Sequence, residues 1–370
     1  MRPFNVLWLV LCGAGCSVEG PVSAAESGPY IPAHTTLVMD VPSPERPVTV
    51  EVWYPSDSTI TPGASVAEFE ASLASRATLE SLLGAAPDGC TSLVTNAVRD
   101  APAVSGLGAR PLVVFSHCLN CGRYSSFSLA ERLASHGVIV VSPDHAGPLP
   151  FAEASEGESV DEAQLDQRVR HLQHLISASL DGSLFGLSPA LDGLVVDPER
   201  IGAMGHSFGS ATVGRLAQND DRIAAAVGLV APMASFVFPA TQMDQITTPL
   251  LLVLAQEDNS ITEIGNDLLR TNAEEAPAPV WLIELEDAGH WSVSNLCGLV
   301  PDFAAGCGEG ERHSRGREGE RFEYLPVRRA IELAQRYVTA FFLAQLTGDA
   351  AALSLLDASV EGQGLVMRKL

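Results

Sequence analysis

The chain has 370 residues and a formal net charge of -23 at pH 7, from 45 acidic and 22 basic residues. Hydrophobic residues make up 46% of it and charged residues 18%, which supplies enough apolar material for a buried core and excludes general disorder. The acidic balance repels phosphate backbones and anionic bilayers, so we expect no nucleic-acid partner. The length fits one large domain or two average ones.

The N-terminus predicts export from the cytoplasm. An arginine is followed by an apolar stretch that ends at Leu11, which is too short to remain as a membrane-spanning helix. Small residues precede Cys16 as in a bacterial lipobox, so we interpret residues 1–16 as a lipoprotein-type signal with Cys16 lipidated, and 17–30 as a linker. The alternative is ordinary cleavage after Ala24. Either route predicts a bacterial cell-envelope lipoprotein or a secreted protein, with membrane contact only through a lipid anchor.

The apolar pattern predicts an α/β fold with a doubly wound, mostly parallel sheet. An alternating stretch at 48–54 predicts an early strand, and 67–83 predicts an amphipathic helix. Short continuous apolar runs are typical of strands covered on both faces, and they occur at 112–115, 138–141, 201–204, 225–230, 250–254 and 280–285. They alternate with helix-compatible segments at 127–136, 161–180 and 327–346.

This alternation continues through most of the chain and favours one domain at 31–347, followed by a C-terminal tail at 348–370. The connection at 147–197 is longer than a minimal crossover between strands. We expect this connection to form part of a cap over the functional site.

The cysteines predict disulfides, because an oxidising compartment preserves them. Five follow the predicted lipidation site: Cys90, Cys118, Cys121, Cys297 and Cys307. Cys297 and Cys307 are close in sequence and bracket a loop, so we expect them to pair. The other three then supply one further bridge and one free thiol. A single C-x-x-C at Cys118 and Cys121 lacks the second ligand pair of a zinc site, so we expect no metal.

The most specific motif is Gly205-His206-Ser207-Phe208-Gly209. It follows the predicted strand at 201–204 and precedes a helix-compatible run at 211–217, which is the context of a G-x-S-x-G nucleophile elbow. Glycine is needed at both flanks because a side chain there would collide with neighbouring backbone. Ser207 is therefore the predicted nucleophile.

A serine hydroxyl needs a base to take its proton and a carboxylate to orient that base. In this architecture the chain order is serine, acid, histidine. Asp258 follows the strand at 250–254 and is the predicted acid, with Glu257 and Asp287 as rivals. His290 directly follows the strand at 280–285 and is the predicted base, whereas His313 lies in a charged loop.

The oxyanion of the reaction needs preorganised donors, and one is the amide of the residue after the nucleophile, Phe208. The second should come from 116–120, just after an earlier strand, and Leu119 is our choice. His117 is interpreted as a residue that fixes this loop.

Several further motifs accompany the elbow, and together they are far more specific than any one of them. They are Val114-Phe115-Ser116-His117, Leu133-Ala134-Ser135-His136-Gly137, Ser142-Pro143-Asp144-His145, Asp197-Pro198-Glu199-Arg200-Ile201 and Ala288-Gly289-His290. Over residues 35–345 the sequence resembles the dienelactone hydrolase-like and platelet-activating factor acetylhydrolase-like α/β-hydrolases. The resemblance implies hydrolysis of short-chain carboxylic esters without metal or organic cofactor, with a phospholipid acetyl ester as a sharper version.

The resemblance also implies that the amide after an S-H-G motif lines the oxyanion hole, and Leu119 occupies that position. Relatives commonly have glycine where this chain has Cys118. One hypothesis is that Cys118 or Cys121 forms a disulfide, for which Cys90 is a candidate partner, and that the crosslink rigidifies the loop. The alternative is two small buried residues in a tight turn.

Other function classes remain open at this stage. The same fold could be a catalytically silent binding protein, although an intact serine, acid and histidine in order argue against it. A peptidase or an acyltransferase would use the same triad. The acyl length and leaving group of the ester are not specified by these motifs.

Overall fold

The computed structural model describes residues 26–41, 47–145, 159–358, 360–362 and 364–370. The predicted signal at 1–16 and lipidation at Cys16 lie outside these residues. The strands are β1 (Ile31–Met39), β2 (Val48–Ser56), β3 (Val98–Arg99), β4 (Ala109–Ser116), β5 (Ile139–Pro143), β6 (Val195–His206), β7 (Ile223–Leu229), β8 (Leu250–Ala255), β9 (Val280–Leu285), β10 (Glu309–Glu311), β11 (Arg321–Glu323), β12 (Val360–Gly362) and β13 (Leu365–Lys369). The α-helices are α1 (Leu73–Ala85), α2 (Phe127–Ser135), α3 (Glu162–Leu180), α4 (Phe208–Asn219), α5 (Thr262–Glu275), α6 (Val327–Phe342) and α7 (Ala350–Asp357).

One 11-stranded sheet organises the described chain, in the order β12-β13-β9-β8-β7-β6-β4-β5-β2-β1-β3. Six neighbouring strands, β9, β8, β7, β6, β4 and β5, pair in parallel. At the two ends of this group, β13 pairs antiparallel with β9 and β2 pairs antiparallel with β5. The prediction of a mostly parallel sheet is confirmed. Parallel strands share one carboxyl edge, which is where loops carrying functional groups gather.

Alternation along the strands divides the core between the two faces of the sheet. In β4, Val113 and Phe115 face the layer that contains α2 and α6, whereas Leu112 and Val114 face the layer that contains α3 and α4. Both faces are therefore apolar and covered, which explains the continuous apolar runs in the sequence.

The region predicted as a cap has a different role in its described part. The helix α3 connects β5 to β6 and packs on α4, with Val169, Leu172 and Ile176 in the core beside the sheet. It is thus a crossover helix rather than a lid, because its apolar face is buried against the sheet.

The C-terminal boundary predicted at 347 is too early. The strand β13 pairs antiparallel with β9, with Met367 opposite Ile283, and Leu356 of α7 is buried in the main core. Residues beyond 347 therefore complete the sheet. Among the described residues, no helix is long and apolar enough to span a membrane.

Candidate active site

The serine elbow lies between the carboxyl end of β6 and the start of α4. Ser207 has φ 57° and ψ -120°, a strained conformation for a non-glycine residue, and its amide donates to the Leu229 carbonyl at 2.9 Å. An added Cβ would lie 2.0 Å from the Gly209 carbonyl oxygen at Gly205, and 1.9 Å from the Ser116 carbonyl oxygen at Gly209. Both flanking glycines are therefore required sterically.

The three predicted triad residues meet at this elbow. The Ser207 hydroxyl lies 2.9 Å from Nε2 of His290, and Nδ1 of His290 lies 2.6 Å from Oδ2 of Asp258. The second carboxylate oxygen, Oδ1 of Asp258, accepts from the amides of Ser260 at 2.8 Å and Ile261 at 2.9 Å. The carboxylate is fully buried, so these bonds fix it in place and hold the imidazole with Nε2 toward the serine.

The two rival carboxylates point elsewhere. Glu257 is buried, and it accepts from the Arg312 guanidinium at 2.7 Å, the His313 amide at 2.7 Å and the Ser314 hydroxyl at 2.7 Å. Asp287 accepts from the same guanidinium at 2.6 Å. Glu257 therefore holds the charged loop at 312–314 against the core, a role that the sequence pattern did not indicate.

A second histidine, His206, forms a hydrogen bond to the backbone of His290. It is fully buried, and its Nε2 donates to the His290 carbonyl at 3.2 Å. Burial, aided by the nearby His290, lowers the pKa of His206 to about 3. It is therefore neutral at physiological pH and acts as a fixed hydrogen-bond donor to the loop of His290.

The loop that follows β4, residues 117–121, lies beside the serine and is called the oxyanion loop below. Leu119 is partly buried against the side chains of Phe208 and Phe238, on the α4 side of the elbow. Nδ1 of His117 donates to the Cys118 carbonyl at 2.7 Å, consistent with its interpretation as a loop-fixing residue. Phe208 is the first residue of α4, where helix geometry leaves the amide without an intrahelical acceptor.

The disulfides differ from the predicted pairing. Cys307 bonds to Cys90, with Cα atoms 5.6 Å apart, and Cys297 is a buried free thiol. The prediction of a Cys297–Cys307 bridge is wrong because proximity in sequence does not measure proximity in the fold. Cys118 bonds to Cys121, with Cα atoms 5.2 Å apart, so the oxyanion loop is crosslinked, but within itself rather than to Cys90.

Comparisons with known proteins agree with this architecture. The model of the dienelactone hydrolase family matches residues 110–292, and that of platelet-activating factor acetylhydrolase, isoform II, matches 24–169. A ferulic acid esterase from Streptomyces cinnamoneus superposes with a TM-score of 0.66 over 93% of this chain and 98% of its own, at 22% identity. The chain has the α/β-hydrolase fold. It is also 29% identical over 172 residues to "Cutinase est2" of Thermobifida alba, and spans about 50% of that relative's length.

The α/β-hydrolase fold explains which site residues the sequence could indicate. Elbow, acid and base each follow a strand in a fixed order, so their positions can be read locally. The partners of Glu257 and the donors around the oxyanion loop come from distant segments. The sequence indicated Glu257 only as a rival to Asp258 and did not connect it with Arg312.

Proposed function

We propose that this protein is a serine hydrolase that cleaves carboxylic esters through an acyl-enzyme. The proposal rests on one observation, the hydrogen-bonded chain from Ser207 through His290 to Asp258, with distances of 2.9 Å and 2.6 Å. In it Ser207 is the nucleophile, His290 the general base and Asp258 the supporting acid.

In the first half-reaction the Ser207 oxygen attacks the ester carbonyl while Nε2 of His290 takes the hydroxyl proton. The tetrahedral intermediate collapses, the carbonyl carbon to alkoxy oxygen bond breaks, and His290 returns the proton to the leaving alcohol. Water, deprotonated by His290, then attacks the acyl carbon; the bond from this carbon to the Ser207 oxygen breaks, His290 returns the proton to that oxygen, and the carboxylic acid is released. Asp258 stabilises the imidazolium that forms in each step, and no redox or metal-dependent step is required.

The negative oxygen of each intermediate needs donors that are already in position. We assign the amides of Phe208 and Leu119 to this role. The first begins α4, and its neighbour Gly209 allows the elbow to approach the backbone of β4 and the oxyanion loop closely. The second lies in a loop crosslinked by Cys118 and Cys121, which limits how far it can move.

For the substrate we propose a short-chain or aromatic acyl ester, with phospholipid acetyl esters as the narrower version. Relatives named as a cutinase and a ferulic acid esterase act, by their names, on esters, and the acetylhydrolase model matches part of the chain. Apolar side chains of Leu165, Phe208 and Phe238 form a small cluster next to the serine, separate from the main core. This cluster offers an apolar wall to an acyl or aryl group.

We further propose that the protein is exported. Two disulfides occur in the described chain, and such bonds persist in oxidising compartments. Signal processing and lipidation of Cys16 would deliver it to the cell envelope. Mass spectrometry of the mature N-terminus distinguishes lipidation at Cys16 from cleavage after Ala24.

The decisive experiment compares two serine variants. Ser207→Ala should lower turnover of p-nitrophenyl acetate by a factor on the order of 10⁴ or more, and should abolish labelling by a fluorophosphonate probe. Ser210→Ala is the matched control, because this serine lies three residues after Ser207 in the first turn of α4, but its hydroxyl bonds the Ala231 carbonyl at 2.7 Å. Full activity of Ser207→Ala, or no labelling of the wild type, would exclude the proposal.

Two further measurements define the reaction. A panel of p-nitrophenyl esters of increasing acyl length tests the substrate class, and a maximum at long chains would contradict the short-acyl assignment. Analysis of products formed in water and in added alcohol separates hydrolysis from acyl transfer.

A further inference from the structure

A buried arginine contacts the oxyanion loop from the crossover helix. Arg168 lies on α3 and its side chain has no exposed surface. Its Nη1 donates to the His117 carbonyl at 2.5 Å, and its Nη2 donates to the Cys118 carbonyl at 3.2 Å. One planar guanidinium therefore holds two consecutive carbonyls of the loop.

Holding the Cys118 carbonyl also fixes the amide of Leu119. Both groups belong to one peptide unit, and in a trans peptide the C=O and the following N–H point in opposite directions. Two further donors reach the same carbonyl, Nδ1 of His117 at 2.7 Å and the Cys121 amide at 3.3 Å. The Leu119 N–H consequently points away from Arg168.

The tautomer of His117 is set by its other nitrogen. Nε2 accepts from the His145 amide at 3.0 Å, so in the neutral ring the proton resides on Nδ1, which faces the Cys118 carbonyl. The ring is thus a fixed donor that works in the same direction as the guanidinium.

The same guanidinium also contacts the other half of the site. It lies over the ring of Phe208, 4.4 Å from the ring centroid, in a cation–π arrangement. Phe208 supplies the other assigned oxyanion amide, and its neighbour Gly209 packs on the Ser116 carbonyl. Arg168 therefore touches both segments whose amides must converge on one oxygen atom.

We propose that Arg168 is a positioning residue that orients the oxyanion hole, by holding the Cys118 carbonyl so that the Leu119 amide faces the site, and by fixing the loop relative to Phe208. The inference rests on the proposed esterase function. It assigns a role in the transition state to α3, a helix that otherwise covers the sheet. Lysine could not replace it fully, because an ammonium lacks the planar fork that spans two carbonyls and stacks on an aromatic ring.

The test compares Arg168→Met and Arg168→Lys with a matched control, Arg215→Met. Arg215 is another buried arginine at the same α3 to α4 contact, but it bonds Asp166 at 2.7 Å and Glu162 at 2.7 Å and does not reach the oxyanion loop. Its replacement measures what a lost buried arginine does to the helix packing alone.

We expect Arg168→Met to lower kcat on the order of 10²-fold, as for the loss of one oxyanion donor, with KM nearly unchanged. Binding of a trifluoromethyl ketone, which forms a tetrahedral adduct with Ser207, should weaken by a similar factor. Arg168→Lys should fall between Arg168→Met and the wild type. Arg215→Met should lower Tm but keep kcat and inhibitor affinity.

A measurement without turnover separates this inference from the proposed function. Amide hydrogen exchange of a peptide covering 116–123 should speed up in Arg168→Met and stay slow in Arg215→Met. If wild type shows no esterase activity but this pattern holds, the function fails and only the ordering of the loop by Arg168 stands. Unchanged exchange, or equal losses of kcat and inhibitor affinity in Arg168→Met and Arg215→Met, would overturn the role of Arg168.

Discussion

Two loops at the carboxyl edge of the sheet carry complementary halves of the site, and they are held by different means. The loop after β8, residues 256–261, is fixed from within, because Asp258 accepts the amides of Ser260 and Ile261. The oxyanion loop after β4 has an internal crosslink between Cys118 and Cys121, but it is also held from outside, by Arg168 of α3. The Asp258 carboxylate organises its own neighbours, whereas the carbonyls of the oxyanion loop also take donors from a helix outside it.

We expect substitutions in the loop after β8 to impair proton transfer by His290. Substitutions in the oxyanion loop should instead weaken stabilisation of the tetrahedral intermediate. Variants in the first loop should therefore change the function of the base, and those in the second should change affinity for tetrahedral analogues. Two experiments test this division, and a third tests the ion pairs next to the oxyanion loop.

The largest effect is expected in the loop after β8. Asp258→Asn keeps the size of the side chain but removes the charge that orients His290, so kcat should fall about 10⁴-fold. The measurement is steady-state hydrolysis of p-nitrophenyl acetate.

Glu257→Gln is the neighbouring control. It removes the ion pair with Arg312, so Tm should fall while most of kcat remains. A loss of kcat in Glu257→Gln as large as that in Asp258→Asn would mean that the two carboxylates do not divide their roles as the hydrogen bonds indicate.

An intermediate effect is expected from the crosslink in the oxyanion loop. The double variant Cys118→Ser/Cys121→Ser should lower kcat about tenfold, because a looser loop presents the Leu119 amide less accurately. Unfolding free energy should change by about 2 kcal/mol or less, since the closed loop is short. Kinetics and urea unfolding under non-reducing conditions measure both quantities.

The second disulfide gives the opposite pattern. Cys90 and Cys307 are separated by 217 residues, so Cys90→Ser/Cys307→Ser should cost about 3–5 kcal/mol of stability and leave kcat largely intact. If this pair controls kcat and the short bridge does not, the crosslink that orders the oxyanion loop has been assigned to the wrong bond.

The smallest effect on activity is expected at His34, which lies in a chain of ion pairs that continues from Arg123. Here the measured quantity is the pH dependence of the unfolding free energy. Arg123, two residues after the oxyanion loop, bonds Glu51 at 3.0 Å, and Glu51 also pairs with His34 at 2.7 Å. Burial by itself lowers the pKa of His34, but hydrogen bonds and charges from Glu51 and Glu68 raise it to about 9. The folded state thus binds the proton more tightly than the unfolded state, whose histidine titrates near pH 6.5.

The resulting stability is fully present below pH 6.5 and is lost as pH rises through about 9. Between pH 6.5 and 9.5 the wild type should therefore lose a few kcal/mol of unfolding free energy that His34→Gln does not lose. Urea unfolding of both proteins across this range gives the difference. Parallel curves would show that His34 is not held as a cation.

The sequence predicted the features that depend on residues close together along the chain. Strands covered on both faces give apolar runs, and the elbow at Ser207 needs glycines that can be read directly, so the fold and the positions of Asp258 and His290 followed. The terminal strand β13 was missed because its single buried face gives only Leu365 and Met367 as signals. Arg168 and the Cys90 pairing were missed because their partners lie 50 or more residues away along the chain.

The free thiol has a consequence for how the protein acquires its bonds. During oxidative folding, Cys297 and Cys307 are near neighbours, so closing that loop costs less chain entropy than joining Cys307 to Cys90 across 217 residues. The local bond should therefore form first and be replaced by thiol–disulfide exchange, so we expect a disulfide isomerase to speed maturation. Once the core closes, burial raises the pKa of Cys297 to about 12, and the thiolate needed for further exchange is no longer available.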